Sequence, residues 1–324
     1  MKYLFIIVVA AIVIALLILL TVYICFRMAF YADRKAKKNE EEYPIPEGKI
    51  YEPYRQQMVQ WMKECRALPQ EEIHITSFDG LNLYGKYFEY DPEAPMELMF
   101  HGYRGSAERD LCGGVQRCFA LGRNVLIVDQ RTSGKSEGNV ISFGINESRD
   151  CMSWLDYVVE RWPERKIILT GISMGASTVM IAAGMDLPES VAFVLADCGF
   201  TSAKAIIKIV IRMMKLPKHL AYPFVKWAAK IFGHFKLEET SSIEAMTKSK
   251  VPVIFFHGED DDFVPCRMSV ENYNACVTKK KLVTIPGAGH GLSYIVEPER
   301  YLKELADFSN ECGVDTHSIA THSI

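Results

Sequence analysis

Short, continuously apolar runs alternate with helix-length stretches through most of this chain, and that alternation limits the possible folds more than any other feature. Residues 166–170 enclose the unbroken run Ile167-Ile168-Leu169, and residues 173–184, rich in Ala and Met, follow as a helix. Runs at 96–100, 124–128, 191–195, 251–256 and 281–285 have the same character. Helical stretches at 107–121, 147–161, 267–275 and 297–310 separate most of them, although Gly113 and Gly114 weaken the first. Apolar runs without alternation suit strands covered on both faces, so the pattern predicts an α/β fold with a mostly parallel central sheet and helices on both sides. Two earlier strands, 72–78 and 83–90, flank an Asp79-Gly80 turn signal and predict an antiparallel hairpin. A helix is expected over 54–67. Residues 201–248 contain no strand signal and read as two or three amphipathic helices. They lie between two core strands, where a helical cap or lid lining the substrate site would emerge.

The N-terminal end has a different character. Leu4 to Phe26 carries no charge. As a helix it would extend about 35 Å, enough to cross a bilayer with some tilt. A cleaved signal peptide is the rival reading, but the run is long for one and no clear small-x-small site follows it. Arg27, Arg34, Lys35, Lys37 and Lys38 follow the run, and the positive-inside rule puts the following domain in the cytoplasm. The expected organisation is a transmembrane anchor over 1–30, a juxtamembrane linker over 31–52, an α/β domain over 53–312 with its cap at about 201–248, and a polar tail over 313–324.

Charge and cysteine content exclude other classes. The net charge is −3, from 37 basic and 40 acidic residues, which gives no basic field to attract nucleic acid. Nine scattered cysteines form no disulfide framework and read as thiols in a reducing compartment. No Cys-x-x-Cys or His-Glu-x-x-His pattern predicts a metal site, and no cofactor is expected. Gly134-Lys135-Ser136 superficially suggests a phosphate loop, but Asp129 stands where that loop needs its first glycine.

The chemistry centres on Gly171-Ile172-Ser173-Met174-Gly175. A serine between an apolar strand and an Ala-rich helix sits on a tight turn that presents its hydroxyl above the sheet edge. Such a hydroxyl needs a general base, itself oriented by a carboxylate. Of eight histidines, His101, His257 and His290 end strands. His290, in a Gly-rich loop after the last strand, is the candidate base. The acid belongs in the loop after the preceding strand, where Glu259, Asp260, Asp261 and Asp262 are equivalent on chemistry alone. An oxyanion site requires two N–H donors. Met174, at the start of the helix, and Tyr103, directly after His101-Gly102, are the candidates, and their amides matter there more than their side chains. The Asp129–Gly138 loop is expected to form the floor of the site.

These motifs together resemble the α/β-hydrolase superfamily, in particular its lidded esterase, lipase and serine-aminopeptidase-like branch, over roughly residues 72–310. Five ordered motifs carry the resemblance: His101-Gly102-Tyr103-x-Gly105-Ser106, Asp129-x-Arg131-x-Ser133-Gly134-x-Ser136-x-Gly138, Gly171-x-Ser173-x-Gly175, His257-Gly258-x-x-Asp261-x-x-Val264-Pro265 and Gly289-His290. The resemblance implies Ser173 as nucleophile, His290 as base and Asp261 as acid, with oxyanion donors at Tyr103 and Met174. Thr132-Ser133-Gly134 departs from the usual Gly-His-Gly of the second motif, which puts the pocket floor in question. Asp197, in Asp197-Cys198-Gly199-Phe200-Thr201-Ser202, also closes a strand and is the reserve acid. The expected activity is hydrolysis of a small-molecule or lipid-like carboxylic ester. Peptidase or acyltransferase chemistry on the same residues is the alternative, and a non-catalytic tethered binding protein is a third reading.

Overall fold

The computed structural model describes residues 1–32 and 42–316. The basic residues at 34–38, two of the linker's glutamates and the end of the polar tail lie outside the described residues.

In chain order the elements are α1 (Lys2–Ala29), α2 (Arg55–Ala67), β1 (Glu71–Thr76), β2 (Asn82–Phe88), β3 (Met96–Phe100), α3 (Ala107–Ala120), β4 (Asn124–Asp129), α4 (Ile145–Arg161), β5 (Ile167–Ile172), α5 (Met174–Ala183), β6 (Val191–Asp197), α6 (Ala203–Met213), α7 (Lys218–Ile231), α8 (Ser242–Met246), β7 (Val253–Gly258), α9 (Arg267–Ala275), β8 (Lys280–Ile285), α10 (Ser293–Val296) and α11 (Pro298–Glu311). The strands form one sheet in the order β1-β2-β4-β3-β5-β6-β7-β8. β2 is antiparallel to both β1 and β4, and every pairing from β4 to β8 is parallel.

Register brings the strand ends that carry function into line. Phe100 at the end of β3 pairs with Gly171, Gly171 with Ala196, and Ala196 with Phe255. The loops after β3, β5, β6, β7 and β8 therefore leave the same edge of the sheet, where open α/β sheets bind ligands. Both faces are covered. Leu98, Leu169 and Val194 pack towards Trp154, Val179 and Met180, while Ile168, Leu195 and Phe256 pack towards Tyr301 and Leu305 on the other side.

α3 runs unbroken through Gly113 and Gly114, although the sequence counts them against a helix. Packing explains both: a side-chain carbon on Gly113 would stand 2.6 Å from the Trp61 ring, and one on Gly114 would stand 2.3 Å from Met99. The stretch at 201–248 holds α6, α7 and α8.

α1 is long and apolar enough to cross a membrane. Every residue from Met1 to Thr21 is exposed, whereas Val22, Phe26 and Phe30 are buried. Tyr23 and Phe26 meet the Phe232 ring at the end of α7, with centroids 5.3 and 5.7 Å away, and Phe30 meets Phe235 at 5.3 Å. The backbone then joins the domain: Ile141 N donates to Phe30 O at 2.8 Å, and Ala32 N donates to Asn139 O at 3.0 Å. Both described ends of the stretch that reads as linker lie against the domain, since Tyr43 and Ile45 pack beside Met62 and Leu111.

Candidate active site

The turn at Ser173 is built by close approach. Ser173 has φ 57° and ψ −116°, a strained conformation for a residue with a side chain. A side-chain carbon on Gly171 would lie 2.1 Å from Gly175 O, and one on Gly175 would lie 2.0 Å from Phe100 O. Only glycine at both positions lets α5 start directly above β5 and against β3. Ser173 N donates to Asp197 O at 2.8 Å, which holds the turn to the next strand.

A hydrogen-bonded chain starts at this hydroxyl. Ser173 Oγ donates to His290 Nε2 at 2.8 Å, and His290 Nδ1–H donates to Asp261 Oδ2 at 2.7 Å. The other carboxylate oxygen, Oδ1, accepts from the amides of Val264 at 2.7 Å and Phe263 at 2.9 Å. Among the four consecutive acids, only Asp261 is buried; Glu259, Asp260 and Asp262 face solvent. Burial by itself would raise the Asp261 carboxyl. Hydrogen bonds from His257 and His290 outweigh it and bring the value down from 3.8 to about 2.

The other strand-end candidates have structural partners. His257 Nδ1 accepts from Ser269 Oγ at 2.6 Å, and its Nε2–H faces Val264 O at 2.8 Å and Asp261 Oδ2 at 3.2 Å, so this ring fixes the acid's loop. His101 lies fully buried, with Nδ1 at 2.7 Å from Gly102 O and Nε2 accepting from Gln130 N at 3.0 Å. Burial lowers its pKa and keeps the ring neutral. Asp197, the reserve acid, accepts from Tyr301 and Ser293 at 3.0 and 3.2 Å and makes no hydrogen bond to His290.

Tyr103 and Met174 flank the serine. Among the described residues neither backbone N–H is paired with a protein acceptor. Tyr103's side chain has a use that its amide alone would not require. Its hydroxyl donates to Ala29 O at 2.9 Å, and Arg104 donates to Met28 O and Tyr31 O at 3.0 and 3.1 Å. Two side chains of the candidate oxyanion loop thus satisfy the open carbonyls at the C-terminus of α1.

A cavity of about 720 Å³ opens at Ser173 and is largely apolar, with Ile50, Met58, Trp61, Met99, Leu111 and Tyr294 in its wall. No residue of 201–248 lines it. The wall comes instead from residues 46–51, α2 and α3, while α6 and α7 pack with the end of α1 and α8 lies against α5 and α9. The loop after β4 does not line it either. Asp129 accepts from the amides of Ala107 and Lys135 at 2.9 and 3.0 Å, and Arg131 forks onto Asp150 at 2.6 and 2.7 Å. Those bonds fasten the starts of α3 and α4 rather than forming a pocket floor.

Two residues at the site escape a reading of the sequence. Tyr51 donates its hydroxyl to His290 O at 3.1 Å across 239 positions of chain, and no local pattern signals that. Cys198 lies fully buried with its donor atom within 4.8 Å of those of Asp261 and His290. Burial raises its thiol and holds it protonated. Its position directly after the strand-closing Asp197 was the available sequence signal.

The sheet order, the strained serine and the order of the side chains along the sequence, Ser173 before Asp261 before His290, define an α/β-hydrolase. Known proteins narrow that class. The chain belongs to the prolyl oligopeptidase family, which its residues 121–314 match. YqkD of Bacillus subtilis is 30% identical over 190 residues, which span 58% of this chain and 62% of that protein. The match therefore spans less than two thirds of that relative's length. Protein bem46 of Schizosaccharomyces pombe is 29% identical over 255 residues, 76% of this chain and 78% of the yeast protein. The esterase Pf2001 of Pyrococcus furiosus superposes with a TM-score of 0.63 at 22% identity, covering 84% of this chain and 98% of the esterase, a likeness of fold.

Proposed function

We propose that the protein is a serine hydrolase that cleaves a carboxylic ester through an acyl-enzyme intermediate. The unbroken chain from Ser173 Oγ through His290 to the buried Asp261 carries this reading. In the first step Ser173 Oγ attacks the carbonyl carbon while its proton passes to His290 Nε2. Asp261, ionised down to about pH 2, fixes the tautomer with Nδ1 protonated and stabilises the imidazolium. The developing oxyanion is held by the N–H groups of Tyr103 and Met174, the second at the positive end of α5. Collapse expels the alcohol, which takes the proton from His290. Water then attacks the acyl-enzyme, gives its proton to His290 and releases the acid, and the proton returns to Ser173. An ester with a bulky apolar part suits the apolar wall formed by Met58, Trp61 and Leu111.

A fluorophosphonate probe with peptide mapping tests the assignment. Labelling of Ser173 that is absent in Ser173→Ala is expected, and folded protein that stays unlabelled would overturn it. Peptide cleavage is the second reading, favoured by the family to which the chain belongs. Assay with p-nitrophenyl acyl esters beside peptide p-nitroanilides separates the two. Turnover confined to the anilides would replace the ester with a peptide.

The same reading makes α1 a retained single-pass anchor with the hydrolase domain on the cytoplasmic side. Its support is the uncharged exposed length of α1 and the basic residues that follow it.

A further inference from the structure

We propose that the cap formed by α6 and α7 is a membrane-docking surface that rests on the anionic leaflet beside α1. This inference builds on the reading of α1 as an anchor. It does not depend on the chemistry of Ser173.

The geometry sets the depth. The exposed part of α1, up to Thr21, rises about 30 Å at 1.5 Å per residue, the thickness of the hydrocarbon core. Burial begins at Val22, where the helix meets α7. The contact between α1 and α7 therefore lies at the edge of the core, in the headgroup layer, and α7 is carried there with it.

The surface that α7 presents matches that layer. Leu220, Phe224, Trp227 and Ile231 recur at spacings of four, three and four, which places them on one stripe of α7, and Leu216 stands exposed in the turn before it. Leu220 is 60% exposed, and Trp227 and Ile231 are each 47% exposed. Met213 and Met214 extend the patch over the turn between the two helices. The stripe ends next to Phe232, which already packs on Tyr23 and Phe26 of α1, so it continues an apolar surface that enters the bilayer.

Charge selects the leaflet. Between positions 201 and 237 the chain has eight Lys or Arg residues and no Asp or Glu, although the whole protein is net negative. Lys204 and Lys226 pair with Glu238. Arg212, Lys215, Lys218 and Lys230 have no acidic partner among the described residues, and the first three surround the exposed Met213–Leu220 turn. An apolar stripe bordered by unpaired cations suits an anionic lipid surface. A soluble partner with an acidic rim would also match the charge, but it would not explain why the stripe is continuous with a membrane-crossing helix.

The test uses the full chain in nanodiscs made with lipids brominated near the carbonyl end of their acyl chains. Bromine should quench the tryptophan emission, and Trp227→Phe should remove most of that quenching. Quenching should be stronger with phosphatidylserine than with phosphatidylcholine alone. Arg212→Glu, Lys215→Glu and Lys218→Glu together should abolish that difference. Carbonate extraction run in parallel separates the two readings. Release by carbonate would overturn the anchor and with it this proposal. Carbonate-resistant protein in which Trp227→Phe leaves the quenching unchanged would overturn the cap's position alone. The same insensitivity, with Leu220→Cys giving disulfide-linked dimers, would assign the surface to a second copy of the chain.

Discussion

The sheet-edge loops and the cap follow opposite rules. Around Ser173 nearly every polar group has a stated partner: both oxygens of Asp261, both ring nitrogens of His101, His257 and His290, and the carboxylate of Asp197 are all engaged. A network satisfied to this degree is rigid, and rigidity keeps a hydroxyl, an imidazole and a carboxylate within reaction distance. In the cap the unpaired groups lie outside. Apolar side chains and cations face outward, and only the inner faces of α6 and α7 are packed. The comparison teaches that burial and pairing mark the part of a hydrolase that performs chemistry, whereas unmatched surface marks the part that meets something else.

The sharpest way to break the comparison is to exchange one atom in the relay and compare it with three whole side chains in the cap. Asp261→Asn keeps the shape but removes the acceptor that selects the His290 tautomer, and a loss of about 10⁴-fold in kcat is expected. The cap triple Arg212→Glu, Lys215→Glu, Lys218→Glu should leave turnover of a short water-soluble ester within about twofold, because surface substitutions far from a site seldom matter. Steady-state kinetics on both variants decide. A large loss in the cap triple would make the cap part of the catalytic apparatus.

Acid sharpens the same contrast with a smaller effect. The Asp261 carboxyl titrates at about 2 in the folded protein instead of 3.8. A depressed value means that its stabilising contribution is fully present above pH 4 and is lost as pH falls through 2. That shift corresponds to about 2 kcal/mol. Chemical denaturation of detergent-solubilised protein between pH 5 and pH 2.5 should show wild type losing more stability than Asp261→Asn. Parallel curves would show that the carboxylate is not held by its neighbours.

How far each region is legible in the sequence follows from the range of its interactions. The run Ile167-Ile168-Leu169, the paired glycines and the Ala-rich stretch after Ser173 are local signals, and they suffice to read β5, the turn and α5. The hairpin at Asp79-Gly80 and the parallel alternation are local in the same sense. The order β1-β2-β4-β3-β5-β6-β7-β8 rests on pairings between distant strands, and no local signal gives it. Contacts between distant segments leave no periodicity. Tyr51 reaches the His290 loop, Trp61 occupies the space above Gly113, and residues 46–51 wall the cavity, so a cap-lined pocket is the natural expectation from sequence and a linker-lined one is what the fold builds. The loop after β4 misleads for a related reason. Its polar residues sit at a strand end, like those of the site, but Asp129 and Arg131 are used up on the starts of α3 and α4.

Tyr103 belongs to both regions and gives the finest test of how they connect. Its amide is the proposed oxyanion donor, while its hydroxyl caps Ala29 at the end of α1 and its ring stacks on Phe143, with centroids 5.1 Å apart. Tyr103→Phe preserves the amide and the ring and removes only the hydrogen bond to α1, worth about 1 kcal/mol. If the end of α1 helps to position the proposed oxyanion loop, kcat should fall by a few-fold at most, with KM unchanged, because the loss falls on the transition state rather than on substrate binding. Added to Arg104→Ala, which already loosens the loop from α1, Tyr103→Phe should lower kcat by less than it does alone. Unchanged kcat in Tyr103→Phe would mean that the loop holds its shape from Gly102 and Asp110 alone, whose N–H and carboxylate meet at 3.1 Å, and that α1 and the chemistry are neighbours without being coupled.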